Sequence, residues 1–177
     1  MTEKQTLDLA SIVDALTEKG GPPDSEGLSQ VAKALAKQFG VDPDEVAILG
    51  INPKDKSLRF VIPVKLATVG SIPLSSATAL ASRTARDRRP ELVNNFSTAR
   101  HASVFEGVPL GRHPAEMIHK IMSAPIVDGT HVRGVVQISK KGRTSAEAGL
   151  DFTQTDLRAL TSLCATLERF LKLCKPA

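Results

Sequence analysis

Four histidines and two cysteines are the side chains best suited to metal binding or nucleophilic chemistry, and their spacing argues against both. His101, His113, His119 and His131 have no second His, Cys or carboxylate at the intervals that define a zinc centre, where ligands must converge from one helical turn or one tight loop. His101 and His113 share a long irregular stretch and are the one pair that a folded-back chain could bring to a common ion; no metal site is expected. Cys164 and Cys174 fall on one predicted helix, roughly 15 Å apart by helical rise, and cannot pair within the chain. A reactive thiol needs a cationic, partly open setting. Cys164 lies on an apolar seam, and Cys174, beside Lys172 and Lys175, is the more exposed of the two. No glycine-rich phosphate loop occurs, since Gly20-Gly21 runs directly into Pro22-Pro23. The acidic residues scatter over turns and helix starts, where capping accounts for them. No catalytic residue is expected.

Composition narrows the remaining classes. The 177 residues suffice for one domain with a short extension. There is no uncharged apolar run of about eighteen residues, and MTEKQTLDLAS lacks a basic-then-apolar signal plan, so a soluble, cytoplasmic chain with no membrane contact is expected. The net charge is +4, yet Arg83, Arg86, Arg88, Arg89, Arg100 and Arg112 cluster against only Asp87, Glu91 and Glu106. Such a face suits an anion. Nucleic acid is not expected as a partner, because no helix-turn-helix pattern is present and no Trp or Tyr is available for stacking.

The elements that would position a site are legible from periodicity. Residues 6–19 and 28–39 read as helices with apolar stripes, closed by Gly20 and Gly40, and residues 20–27 as a linker. Strands follow at 46–51 and 58–65, joined by the Asn52-Pro53-Lys54-Asp55 turn. A small-residue helix at 76–87, stopped by Arg88-Arg89-Pro90, leads to a short strand at 91–94. Residues 94–112 lack a sustained period and form a long covering connection. IHKIMSAPIV and THVRGVVQIS then flank Asp128-Gly129, a pair suited to a two-residue type I′ turn. That register would set Val127 against Thr130, with Ser123, Pro125, Val132, Gly134, Val136 and Ile138 on one face. Met122, Ala124, Ile126, Val135 and Gln137 would share the other. The last helix opens with a capping box, Thr153 with Asp156, and a staple of Phe152 on Leu157. Its stripe of Leu157, Leu160, Cys164, Leu167, Leu171 and Cys174 has the spacing of helices packed side by side, within the domain or between two copies.

The succession of APIV, a turn, VRGVVQIS, a loop and FTQTDLRALTSLCATLERFL resembles the C-terminal half of a GAF domain. The small-residue helix, the basic break and the short strand before it follow the same plan, so the resemblance covers roughly residues 28–173. Some cyclic-nucleotide-binding members carry Asn-Lys, a gap, Phe, three residues and Asp-Glu. Here Lys140, Phe152 and Asp156 fit, while Ser139 and Leu157 depart from that motif. The pocket cysteines used by the family's methionine sulfoxide reductases and bilin-binding photosensors have no counterpart before Cys164.

The resemblance implies an α+β, profilin-like fold: a central antiparallel sheet with the terminal helices on one face, and a helix plus a long covering loop on the other. Residues 1–27 would be a helix and linker, and residues 28–175 the GAF-like domain. In this family the covering connection walls the ligand pocket. That places Asn94, Asn95, Phe96, Arg100, His101 and Phe105 at the pocket, with Met122 and Gln137 facing it from the sheet. Amides and one Arg between apolar walls suit a small polar or anionic ligand, Arg100 being its best anion partner. No particular cofactor follows. The expected function is a non-catalytic sensory or regulatory module, homodimeric through its terminal helices and signalling to a separate partner. A ligand-free dimerisation scaffold is the alternative, and a thiol-dependent free-methionine sulfoxide reductase a second one.

Overall fold

The computed structural model describes residues 8–68, 70–96 and 117–174. Its centre is a six-stranded antiparallel sheet in the order β3-β2-β1-β6-β5-β4. The strands are β1 (Val46–Asn52), β2 (Ser57–Ile62), β3 (Ser71–Pro73), β4 (Glu91–Val93), β5 (Met117–Asp128) and β6 (His131–Gly142). Helices α1 (Leu9–Lys19), α2 (Ser25–Phe39), α5 (Gln154–Ser162) and α6 (Cys164–Cys174) cover one face. There they bury Val46, Ile48, Met122, Ala124, Ile126, Val136 and Ile138. Helix α3 (Leu80–Asp87) covers Ala47, Leu49 and Val135 on the opposite face. A four-residue helix, α4 (Ser145–Ala148), follows β6. The expected layering, terminal helices on one side and the small-residue helix on the other, is what the chain adopts. Of the covering connection expected over 94–112, residues 97–112 lie outside the described residues.

Caps move several boundaries from their expected places. Asp24 accepts from the Gly27 amide at 2.9 Å, so α2 begins at Ser25 and takes in residues that composition assigned to the linker. Gly27 is tolerated there because a Cβ would lie 2.8 Å from Leu16, where α1 and α2 touch. Ser76 accepts from the Ala79 amide at 3.1 Å, holding that segment in a turn and delaying α3 to Leu80. The last helix has its full capping box at Thr153 and Asp156, but it is interrupted at Leu163.

The expected hairpin register is wrong, and the correction matters for the site. Asp128 pairs with His131, which puts Gly129 and Thr130 at the turn with Gly129 at φ 60°, the first-position glycine of a II′-type turn. A bulge follows, since Val127 pairs with Val132 while Ile126 pairs with Gly134, leaving Arg133 as the extra residue. Turn and bulge together shift the pairing by an odd number of residues. Met122 therefore faces with Ile138, whereas Gln137 faces with Ser123.

Candidate functional site

Between α3 and the middle of the sheet lies a run of buried polar side chains. Thr84, on the inner side of α3, donates its hydroxyl to the Leu80 carbonyl at 2.9 Å, which leaves its oxygen to accept from Ser123 at 2.7 Å. With the Ser123 proton so used, its oxygen accepts from Gln137 Nε2 at 3.2 Å. All three residues are at most 2% exposed. The chain of donors starts at Gln137, whose Oε1 is a buried acceptor with no hydrogen-bond partner among the described residues. An unmet buried carbonyl of this kind costs about 1–3 kcal/mol, so the arrangement favours an incoming N–H or O–H donor.

The walls beside it are apolar: Leu80, Phe96 and Ile121 pack together, with Val93 and Ile118 against them. Phe96 is thus placed on the α3 face, and Asn95 is exposed beside it. Met122 is fully buried on the other face among the terminal helices, which removes it from any site shared with Gln137. Asn94 also has another task. Its Nδ2 donates to the Phe152 carbonyl at 3.0 Å, and its Oδ1 accepts from the Phe152 amide at 2.9 Å. Both ends of that amide hold the exit of β4 to the entrance of α5. Arg100, His101 and Phe105 lie outside the described residues. Thr84 and Ser123 were missed by sequence reasoning: a Thr inside a helix and a Ser inside a strand carry no signal until the true register brings them together.

Other expected chemistry resolves into structure. Lys140 sits 4.6 Å over the Phe152 ring and donates to the Leu150 carbonyl at 2.7 Å. Buried Lys120 pairs with Asp151 at 2.9 Å and also reaches the Gly149 carbonyl. The two lysines hold the loop that precedes α5, so the matching parts of the cyclic-nucleotide motif have a local structural role here. His119 bonds the Gly142 carbonyl at 2.9 Å, and His131 is exposed at the hairpin turn. Asp42, Asp44 and Glu45 come close enough to suggest a cation. Glu45, however, accepts from the Asp42 amide at 2.9 Å and the Lys141 amide at 2.6 Å, a capping and sheet-anchoring role. Burial pushes the Cys164 and Cys174 thiols up to about 12, far from the thiolate that nucleophilic chemistry needs. No described helix is long and apolar enough to cross a membrane.

The fold is shared with solved proteins of low sequence identity. The GAF domain of an Acinetobacter phosphoenolpyruvate-protein phosphotransferase superposes with a TM-score of 0.67 at 16% identity, over 97% of this chain and 95% of that one. A methyl-accepting chemotaxis protein fragment gives 0.65 at 19% identity, over 94% and 99% of the two chains. The free methionine-R-sulfoxide reductase of Neisseria meningitidis, solved with its substrate, gives 0.59 at 15% identity, over 94% and 87%. No curated protein matches the chain. The GAF domain family model matches residues 24–172, spanning α2 to α6, and with that match the chain belongs to the GAF domain family, a group of generally regulatory or sensory modules.

Proposed function

We propose that the protein is a non-catalytic sensory module that binds a small molecule between α3 and the sheet and passes the signal to a separate partner. The observation carrying this reading is the unmet Gln137 acceptor at the start of a directed hydrogen-bond chain. The ligand would present an N–H or O–H to Gln137 and rest on Phe96 and Ile121. Helix α3 is the element best placed to respond, because Thr84 ties it to Ser123 and so to Gln137. A ligand acts by favouring one position of α3 over another. Pairing of two copies through α1 and α6 is part of the same proposal, although the apolar stripe on α6 is used up inside the protomer. Such pairing would rely on the polar outer surfaces of these helices.

A packed-scaffold reading draws support from the tight Leu80, Phe96 and Ile121 cluster, which already fills part of that layer. The reductase reading has less support, since Cys164 is buried among the terminal helices on the opposite face. Small molecules released by denaturing the purified protein can be identified by mass spectrometry and titrated back by calorimetry. The sensor reading expects one to bind the wild type and to lose about tenfold or more in affinity in Gln137→Leu, the loss of one buried hydrogen bond. Equal affinity in the variant would remove Gln137 from the site.

A further inference from the structure

We propose that a second site, a basic groove at one end of the sheet, docks an extended acidic peptide segment of a partner protein that also carries apolar side chains. The groove exists because two hairpin tips diverge. Pairing between β1 and β6 ends at Gly50 with Gly134, whereas β1 stays with β2 as far as Asn52 and Ser57, and β6 with β5 as far as Asp128 and His131. Between the tips runs an open trough of about 900 Å³ that continues from the end of α6 on one face to the end of α3 on the other. Its walls include Ile51, Phe60, Leu74, Val132 and Leu171, so its lining is largely apolar.

Its charge is one-sided. Among the described residues Glu168 is the only lining carboxylate, against cations supplied by four separate elements: the β1–β2 hairpin, the β5–β6 hairpin, α3 and α6. Lys172 is 3.2 Å from Glu168, Arg59 pairs with Asp55, and Arg133 lies 3.4 Å from Asp128. Among the described residues no carboxylate pairs with Lys54, Arg86 or Arg88. Arg86 is nonetheless fixed in place, donating to the Leu74 and Ser76 carbonyls at 2.5 and 2.6 Å, which orients its charge without neutralising it. Arg88 ends α3 at φ 53°, a backbone position that favours glycine. Arg133 Nε is buried and has no hydrogen-bond partner among the described residues.

These features choose between occupants. The cations come from two hairpin tips and two helix ends, not from the single loop or helix N-terminus that cradles one phosphate. They match carboxylates strung along an extended chain at about 3.3 Å per residue. The apolar floor calls for aliphatic side chains between those carboxylates. Among the described residues Phe60 is the one aromatic carbocycle in the lining, which is poor provision for successive nucleobases. The groove is distinct from the Gln137 layer, and its occupancy does not depend on a small molecule being bound there.

The test is fluorescence anisotropy of a fluorescein-labelled peptide built from Glu, Leu and Ser, titrated with the full chain at low salt. Saturable binding is expected, weakening as salt is added and weakening when Ser replaces Leu in the probe. Lys54→Glu with Arg88→Glu, both at exposed positions, should lower the affinity about tenfold. The same charge change at exposed Lys33 and Arg158, on α2 and α5, should leave it within about twofold. The proposal is overturned by absence of binding, by equal losses in the two double variants, or by an oligothymidylate of matched charge binding as tightly as the peptide.

Discussion

Gln137 is held at one end and open at the other, and that asymmetry can be measured. In protein stripped of small molecules, Gln137→Leu should leave the unfolding free energy in urea within about 1 kcal/mol of wild type, because removal of the unmet buried acceptor offsets loss of the Nε2 bond to Ser123. A loss of stability well beyond that would mean that Oε1 already has a partner. Cys164 makes a second residue-scale prediction. Its thiol titrates near an ordinary 9.0 when unfolded and is pushed up to about 12 by burial in the native chain. A raised value means that the stability it contributes is complete below pH 9 and is lost as pH climbs toward 12. Urea unfolding of wild type and Cys164→Ala between pH 8 and about 10.5 should show the wild type losing its advantage as pH rises. Parallel profiles would contradict the burial.

At the scale of elements, close approach and capping are what fix positions. A Cβ on Gly134 would fall 2.2 Å from the Leu49 carbonyl oxygen and 2.7 Å from Leu171, so Gly134→Ala has to push β1 or α6 away. It should cost about 3 kcal/mol in denaturant unfolding, and a cost under about 1 kcal/mol would show that β6 is not pressed between them. Thr153→Ala removes the acceptor for the Asp156 amide and should cost about 1 kcal/mol. These two positions also show where the sequence was legible. The Thr153, Asp156 and Phe152 signals are local, and the helix starts where they place it. Gly134 looked like any strand glycine, because its neighbours Leu49 and Leu171 come from far along the chain. The Asp128-Gly129 pair misled for a related reason. A hairpin can close around Asp-Gly or around Gly-Thr, and only the Arg133 bulge, set by packing on β1 and β5, settles which side chains share a face. Of the residues expected at the pocket, Phe96 and Gln137 lie on the α3 side of the sheet. Asn94 and Met122 went to structural duties that no local pattern announces.

The whole molecule joins a GAF fold, a buried polar layer beneath α3 and a separate charged groove at the sheet's end. On the proposed reading, occupancy of the α3 layer, with no chemistry performed, is what the protein senses. A native mass spectrum of the purified full chain beside Gln137→Leu reads that claim directly. The account predicts a small-molecule increment on the wild-type chain that is reduced or absent in the variant, with the same subunit composition in both. An unmodified wild-type mass would contradict it and leave the α3 layer a packed interior, and an equal increment on both proteins would place the ligand elsewhere.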